Sequence, residues 1–451
     1  MKWMRVLWAG ASLLLVLPGC SHDKTVQGGG VYSPLITGLA VDPSPAVRGL
    51  QNELTLQVTN VNNYAITYHW SSPNGAFSDS THQTAAWLAP DTIGFYPVTC
   101  SIQAQAPDSG VSFYKATTYQ VFVDNAYVRW TRSSNVQFDP APAPTPMSDS
   151  GVVFSEYTNI STGASNIYQV AVAGNTPVPL TQNFFSAFSP SMRADGQVVA
   201  FAGKKTNTDG GASIWLVPSS GGADTTGAYV EARHNINTQR FLGAPRYSRT
   251  GTTLLYSSDT TTVGSGPRPW FRDAGFLYPA PPAPANRVIA AGSLGTRAYF
   301  GANWGPDVDA NGIPDSVVTQ TQQSFGTTVQ ASRGIYKLRS SPPQTSGTVW
   351  MNDFTIAEPD WSEDGRYIIF TRPNTLSPDR DIWIIPAGAT SLSAAVRVTS
   401  GPADDSHPRF SNDGSSIYFV SNRADAYGLN GLYPIERRGT NIWSVSLFDL
   451  P

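Results

Sequence analysis

The chain has 451 residues, of which 14% are charged, with a formal net charge of −3, 40 glycines, 35 prolines and only two cysteines. Without a Lys/Arg-rich face to neutralise phosphates, this composition excludes a nucleic-acid binder, and two cysteines exclude a disulfide framework. The length exceeds one ordinary domain, and the low charge with abundant Gly, Pro, Thr, Ser, Tyr and Trp points to an extracytoplasmic all-β protein.

The chain opens on "MKWMRVLWAGASLLLVLPGC". Lys2 and Arg5 precede an apolar run from Val6 to Leu17 that is too short to span a bilayer comfortably, so residues 1–20 read as a secretory signal. Leu17-Pro18-Gly19-Cys20 resembles a bacterial lipobox, which implies cleavage before Cys20 and acylation of that cysteine; Ser21 after it implies sorting to the outer membrane. Residues 21–30, "SHDKTVQGGG", form a flexible tether. The other cysteine, Cys100 in "YPVTCSIQA", sits in a strand pattern and reads as a small buried thiol.

Residues 31–124 show short β-branched and aromatic runs about every ten residues, among them "ELTLQVTNV", "AITYHWSS" and "GFYPVTCSIQA". This spacing predicts an Ig-like β-sandwich with Trp70 in its core, and the segment resembles the Ig-like and PKD-type modules of bacterial surface proteins.

Residues 125–451 repeat a unit. "PDWSEDGRYIIF" (359–370) and "PRFSNDGSSIYF" (408–419) share one register; "PRYSRTGTTLLY" (245–256) and "PSMRADGQVVAF" (190–201) keep the same spacing; "PMSDSGVVF" (146–154) is a shortened copy and "IAAGSLGTRAYF" (289–300) a degenerate fourth. A second element follows most copies: Ile214-Trp215, Ile382-Trp383 and Ile442-Trp443, with Ile167-Tyr168 and Ile335-Tyr336 weaker. Each unit reads as a hairpin with a glycine turn and a third strand, which must join others in a ring to bury both faces. The pattern resembles the blades of TolB-like β-propellers and implies six of them, with "NAYVRWTRSSNVQF" (125–138) supplying the strand that closes the ring. "DPAPAPTP" (139–146) and "YPAPPAPA" (278–285) read as stiff connectors, and the stretched fourth copy carries an insertion at about 301–333.

That insertion holds "DVDANGIPDSVV", which offers oxygen ligands from Asp307, Asp309, Asn311, the Ile313 carbonyl and Asp315, with Gly312 at the sharp turn. Val318 stands where an EF-hand has its bidentate glutamate, and the motif is similar to the "DxDxNGIPD" calcium repeats of secreted proteins. A saturated oxygen shell leaves no open Lewis-acid position, so the expectation is a structural calcium.

No G-x-S-x-G, no H-E-x-x-H and no paired cysteines occur. Of five histidines only His234 and His407 belong to the propeller, too few for the histidine-held metal of lyase propellers. Residues just before the blade proline open toward the funnel in this architecture, so Glu358, Asp360, Asp404, Asp405, His407 and Arg409 are the candidate ligand-binding residues. Trp215, Trp383 and Trp443 recur at one blade position and read as packing; Trp270, Trp304 and Trp350 fall outside it. The expected protein is a lipid-anchored, periplasmic or surface-exposed platform that binds an envelope protein or glycan without catalysis. The alternatives are a polysaccharide- or peptide-processing enzyme with its site in the funnel, and a structural spacer.

Overall fold

The computed structural model describes residues 32–447 apart from 43–45, 93, 108, 134, 143–150, 172, 174, 222–228, 233–241, 259–267, 274–286, 289–297, 311–312, 323–332, 340–347, 352, 354, 374–378, 401–402 and 424–438. Cys20, Asn311, Gly312, His234 and the second Pro/Ala-rich segment therefore lie outside the described residues. Among those described, no helix is long and apolar enough to cross a membrane. The chain divides into two compact units, Met1–Asp124 and Asn125–Pro451.

The first unit contains two four-stranded sheets. Its strands are β1 (Leu35–Asp42), β2 (Ala46–Val47), β3 (Gln51–Thr59), β4 (Ile66–Ser71), β5 (Ala76–Phe77), β6 (Thr84–Leu88), β7 (Gly94–Gln105) and β8 (Ser112–Asp124). The sheets run β1-β3-β6-β5 and β2-β8-β7-β4, with the short β2 parallel to β8. Alternation along β3 and β7 sends Leu54, Leu56, Val98, Cys100 and Ile102 into one apolar core with Trp70 and Trp87. Both indoles are satisfied there: Trp70 Nε1 donates to the His82 carbonyl (2.8 Å) and Trp87 Nε1 to that of Asn74 (3.2 Å). Burial pushes the Cys100 thiol up to about 12, which keeps it protonated and unreactive at neutral pH.

The second unit is a six-bladed β-propeller of four-stranded sheets. Its inner strands are Gln137–Pro142, Ser186–Met192, Leu242–Tyr247, Ala298–Trp304, Ala357–Trp361 and Asp405–Phe410. Each packs on the next, and the sixth packs on the first. The outer strand of blade six is β9 (Tyr127–Arg129), antiparallel to Asn441–Ser446 with Trp443 opposite Arg129, so the unit's first strand completes its last blade. The third-strand isoleucines Ile167, Ile214, Ile335, Ile382 and Ile442 are fully buried between blades.

The first two strands of most blades meet in a tight turn whose glycine has a positive φ, as at Gly365 (φ 74) and Gly414 (φ 71). The Ser-x-Asp-Gly sequence explains the geometry: Ser362 Oγ donates to Asp364 Oδ1 and accepts from Tyr367 N, and Ser411, Asp413 and Ser416 repeat the arrangement.

Two expectations need correction. In blade four, Ala298–Trp304 is the first strand and Ser316–Gln322 the second, so the "RAYF" aligned as a second strand begins the blade. The tight turn is replaced by the longer connection 305–315, which moved the true repeat out of spacing; 301–333 is thus not one insertion but contains a blade strand. In blade one, Asp139–Pro142 is not a connector but part of the inner strand: Pro140 falls where that strand bulges and no ladder N–H is needed, and Pro142 is the strand's last residue.

Candidate functional site

One irregularity recurs in every inner strand. Pairing with the second strand shifts between Phe138 and Ala141, Phe188 and Ser191, Gly243 and Arg246, Phe300 and Asn303, Ala357 and Asp360, and Ser406 and Arg409. A residue inside each bulge is left-handed: Asp139 (φ 50), Ser189 (52), Ala244 (49), Gly301 (55), Glu358 (55) and His407 (52). Proline follows it in every blade but the fourth, where Ala302 stands. The ring of blades therefore carries two layers of inner-strand residues, the bulge residues and those two positions on.

In the bulge layer, His407 joins three blades. Its Nε2 lies 3.3 Å from Asp139 Oδ1 and 3.5 Å from Glu358 Oε1, and its backbone N–H donates to Glu358 Oε2 (2.8 Å). Ser189 donates to Asp139 Oδ2 through both Oγ (2.9 Å) and N (3.2 Å). Arg380 approaches Glu358 (3.4 Å) and grips both oxygens of Asp404 at 2.9 Å. Burial pushes the Asp139 carboxyl up, but His407, Arg246 and Arg409 outweigh it and hold the group below the ordinary carboxylate range; against the same burial, His407 and Arg380 hold Glu358 low.

The next layer consists of Ala141, Ser191, Arg246, Asn303, Asp360 and Arg409. Four of these side chains, Ser191, Arg246, Asn303 and Asp360, staple neighbouring blades. Ser191 Oγ accepts from Tyr247 N (2.9 Å), and Asp360 Oδ2 accepts from Phe410 N (2.9 Å). Asn303 accepts from Arg246 Nε (3.0 Å) and donates to the Pro359 carbonyl (2.7 Å). Burial first, and the like charge of Arg409 second, push the Arg246 guanidinium down to about 9 while Asp139 and Asp360 oppose the shift. Burial raises the Asp360 carboxyl against the pull of Arg409 and Arg246.

This second layer is the floor of a cavity of about 410 Å³ that opens between the hairpin turns. Tyr247, Trp304, Trp361 and Phe410 give its wall an apolar part, and Gly305, Asp307, Ala310 and Pro314 bring in the acidic loop. Gly305 is required by close approach: a Cβ there would meet Ser316 Oγ at 2.6 Å and Trp361 Cε3 at 2.8 Å. Carboxylate oxygens of Asp307, Asp309 and Asp315 lie within 4.8 Å of one another. Asp315 Oδ2 accepts from Val308 N (2.6 Å) and Asp309 N (3.4 Å), and Ile313 packs with Trp304 against the core of blade four. Three hard anionic oxygens this close suit a hard dication, which would remove their mutual repulsion.

Of the six funnel residues read from the sequence, Glu358, His407 and Asp404 join the bulge-layer network, while Asp360 and Arg409 reach the cavity floor. Asp405 goes elsewhere: fully buried, it holds the equally buried Arg423 at 2.9 Å, and that guanidinium lies 3.6 Å from the Tyr127 ring centre. Trp304 lines the cavity, with Nε1 donating to the Arg246 carbonyl (3.0 Å), and Trp350 lies under Lys337; the Trp270 side chain is outside the described residues. Sequence reasoning missed Asp139 and Arg246. Both were signalled: Asp139 precedes Pro140 as His407 precedes Pro408, and "PRYS" places Arg246 as "PRFS" places Arg409.

No protein-family model and no curated protein matches the chain. Among solved structures the chain is similar to TolB from Acinetobacter baumannii, with 12% identity, a TM-score of 0.42, and coverage of 84% of this chain and 79% of that one. It is also similar to the β-propeller domain of the trilobed protease from Pyrococcus furiosus (8% identity, TM-score 0.38, 86% and 90% covered). A third similar structure is the gluconolactonase XC5397 from Xanthomonas campestris (9% identity, TM-score 0.43, 72% and 89% covered).

Proposed function

We propose that this chain is a cell-envelope lipoprotein, anchored to the outer membrane through Cys20, whose propeller is a non-catalytic platform that binds an envelope protein in the cavity between its hairpin turns. The observation that carries this reading is the cavity itself, about 410 Å³ with charged groups on its floor, aromatic rings in its wall and an acidic loop at its side. In the same reading calcium, held by Asp307, Asp309, Asp315, the Ile313 carbonyl and Asn311, is a staple that fixes this loop as a wall. The imidazole of the channel supports binding over nucleophilic catalysis. His407 Nε2 faces two carboxylates, and among the described residues no serine, threonine or cysteine side chain bonds the ring.

The experiment is capture from envelope extract by the soluble chain from Ser21 onward, with calcium and with chelator, beside an Ala194→Trp variant that fills the cavity mouth. A discrete protein retained by the parent and lost by Ala194→Trp supports the reading, and its loss on chelation places the acidic loop at the interface. A partner held equally by Ala194→Trp, or recovery of glycan alone, contradicts it.

A further inference from the structure

The cavity's own floor says what kind of group it takes, granted the reading above that it is a ligand site. Arg246 and Arg409 stand at the same position of blades three and six, each 8% exposed. Each folds NH1 onto the carbonyl of the proline before it, at 2.8 Å in both cases. From there they differ. Arg246 Nε donates to Asn303, the side chain at the equivalent position of the next blade. For Arg409 the next blade is the first, and the equivalent residue is Ala141, which has no acceptor; Arg409 Nε is left buried without a partner.

Neither guanidinium has a carboxylate within ion-pair distance among the described residues; Arg246 also reaches the carbonyls of Ser189 and Pro190, whereas the single hydrogen bond of Arg409 goes to the Pro408 carbonyl just before it. A buried charge so poorly satisfied is costly unless something else meets it. Nearest in the layer is Asp360, which gives an oxygen to Phe410 N. Asp139 and Glu358 in the layer beneath also face these guanidiniums and would repel any group bringing two negative charges.

We infer that the cavity holds a ligand carboxylate seated against Arg409 beside Ala141, with the ligand's apolar part against Tyr247, Trp304, Trp361 and Phe410. A planar monoanion matches the guanidinium fork. In this arrangement the ligand gives the Arg409 guanidinium, from the cavity side, the anionic partner that the ring does not.

The test uses benzoate and its neutral isostere benzamide, titrated into the soluble chain by calorimetry or ligand-detected NMR. Benzoate should bind about tenfold or more tightly than benzamide, and weaken by a similar factor in Arg409→Met, as expected for a lost hydrogen bond to a charged group. Ala141→Asn, which gives Arg409 an internal acceptor, should also weaken benzoate while leaving the fold intact by thermal melting; it decides the matter if Arg409→Met fails to fold. No benzoate binding, equal binding of benzamide, or benzoate binding unchanged in a folded Ala141→Asn variant overturns the inference, as does inorganic phosphate that binds more tightly than benzoate. If Ala194→Trp loses the captured partner while benzoate does not bind the parent, the carboxylate falls and the platform reading stands. If the partner ignores Ala194→Trp, the platform reading falls with it.

Discussion

Asp139 Oδ1 lies 3.3 Å from His407 Nε2, so the first inner strand of the propeller is tied to the last across the point where the ring closes. The link is electrostatic as well as topological, because Asp139 is held ionised by His407, Arg246 and Arg409 against its burial. A carboxyl whose folded pKa is depressed contributes stability that is present above its unfolded pKa and lost as pH falls through the folded value. Asp139→Asn should therefore destabilise the chain at pH 7, and the difference from the parent should shrink below about pH 4, where the unfolded carboxyl takes up a proton that the folded one still resists. Urea melts at pH 7 and pH 3 measure it; a constant difference would contradict the electrostatic account.

Asp381 behaves in the opposite sense. Its carboxyl is pushed up to about 7, first by burial and also by Asp405, although Arg397 stands 2.8 Å away; neither oxygen has a well-aligned hydrogen-bond donor. A raised folded pKa means that stability is lost as pH rises from the unfolded value of about 4 toward 7. Asp381→Asn should gain about 1–2 kcal/mol over the parent at pH 8 and little at pH 4. Equal effects at both pH values would show that the shape of the side chain, not its charge, decides.

The Asp405–Arg423 pair is wholly buried at 2.9 Å. Asp405→Ala leaves an uncompensated cation in the core and should cost about 3–5 kcal/mol, whereas Asp405→Leu with Arg423→Met should cost less than the sum of the single changes. Denaturant titration of the parent, Asp405→Ala, the two single changes and the double variant checks this.

Asn303 links blades three, four and five through Arg246 Nε and the Pro359 carbonyl. Asn303→Ala should cost about 2–3 kcal/mol, because it strands a buried donor and a buried acceptor at once. A change under about 0.5 kcal/mol, within the range of ordinary surface substitutions, would show that these bonds are not needed.

Calcium should raise the melting temperature of the parent, by the mass action of a ligand that binds only the folded loop. Asp307→Ala with Asp309→Ala should abolish that rise. The absence of any rise in the parent would remove calcium from the account.

Much of this architecture was legible because its causes are local. A Ser-x-Asp-Gly turn, a proline before it and an Ile-aromatic pair after it recur along the chain, and each is required by a particular bond or burial, as Ser362, Asp364 and Ile382 show. Blade four was misread because connection 305–315 replaces that turn and removes the glycine that sets the spacing. The site was half legible: the register that flags His407 and Arg409 flags Asp139 and Arg246 as well, but Asp139 lies in a proline-rich run that reads as a connector. Asp405 could not be separated from Asp404 by sequence, since which of two adjacent aspartates turns inward to Arg423 depends on where the strand begins to pair, at Asp405 opposite Ser421. That the acidic loop borders the central cavity depends on contacts between blades, which no local pattern encodes.

Site-specific photocrosslinking in intact envelopes tests most directly whether the cavity between the hairpin turns is the binding face. A photoreactive residue replaces Ala194 at the cavity wall in one variant and Lys204 in another; Lys204 borders a separate cavity with Ser186 and Phe188, which lie before the bulge in their inner strand. The account predicts a discrete protein adduct from position 194 and none from position 204. An adduct from 204 alone would place the partner elsewhere and contradict it.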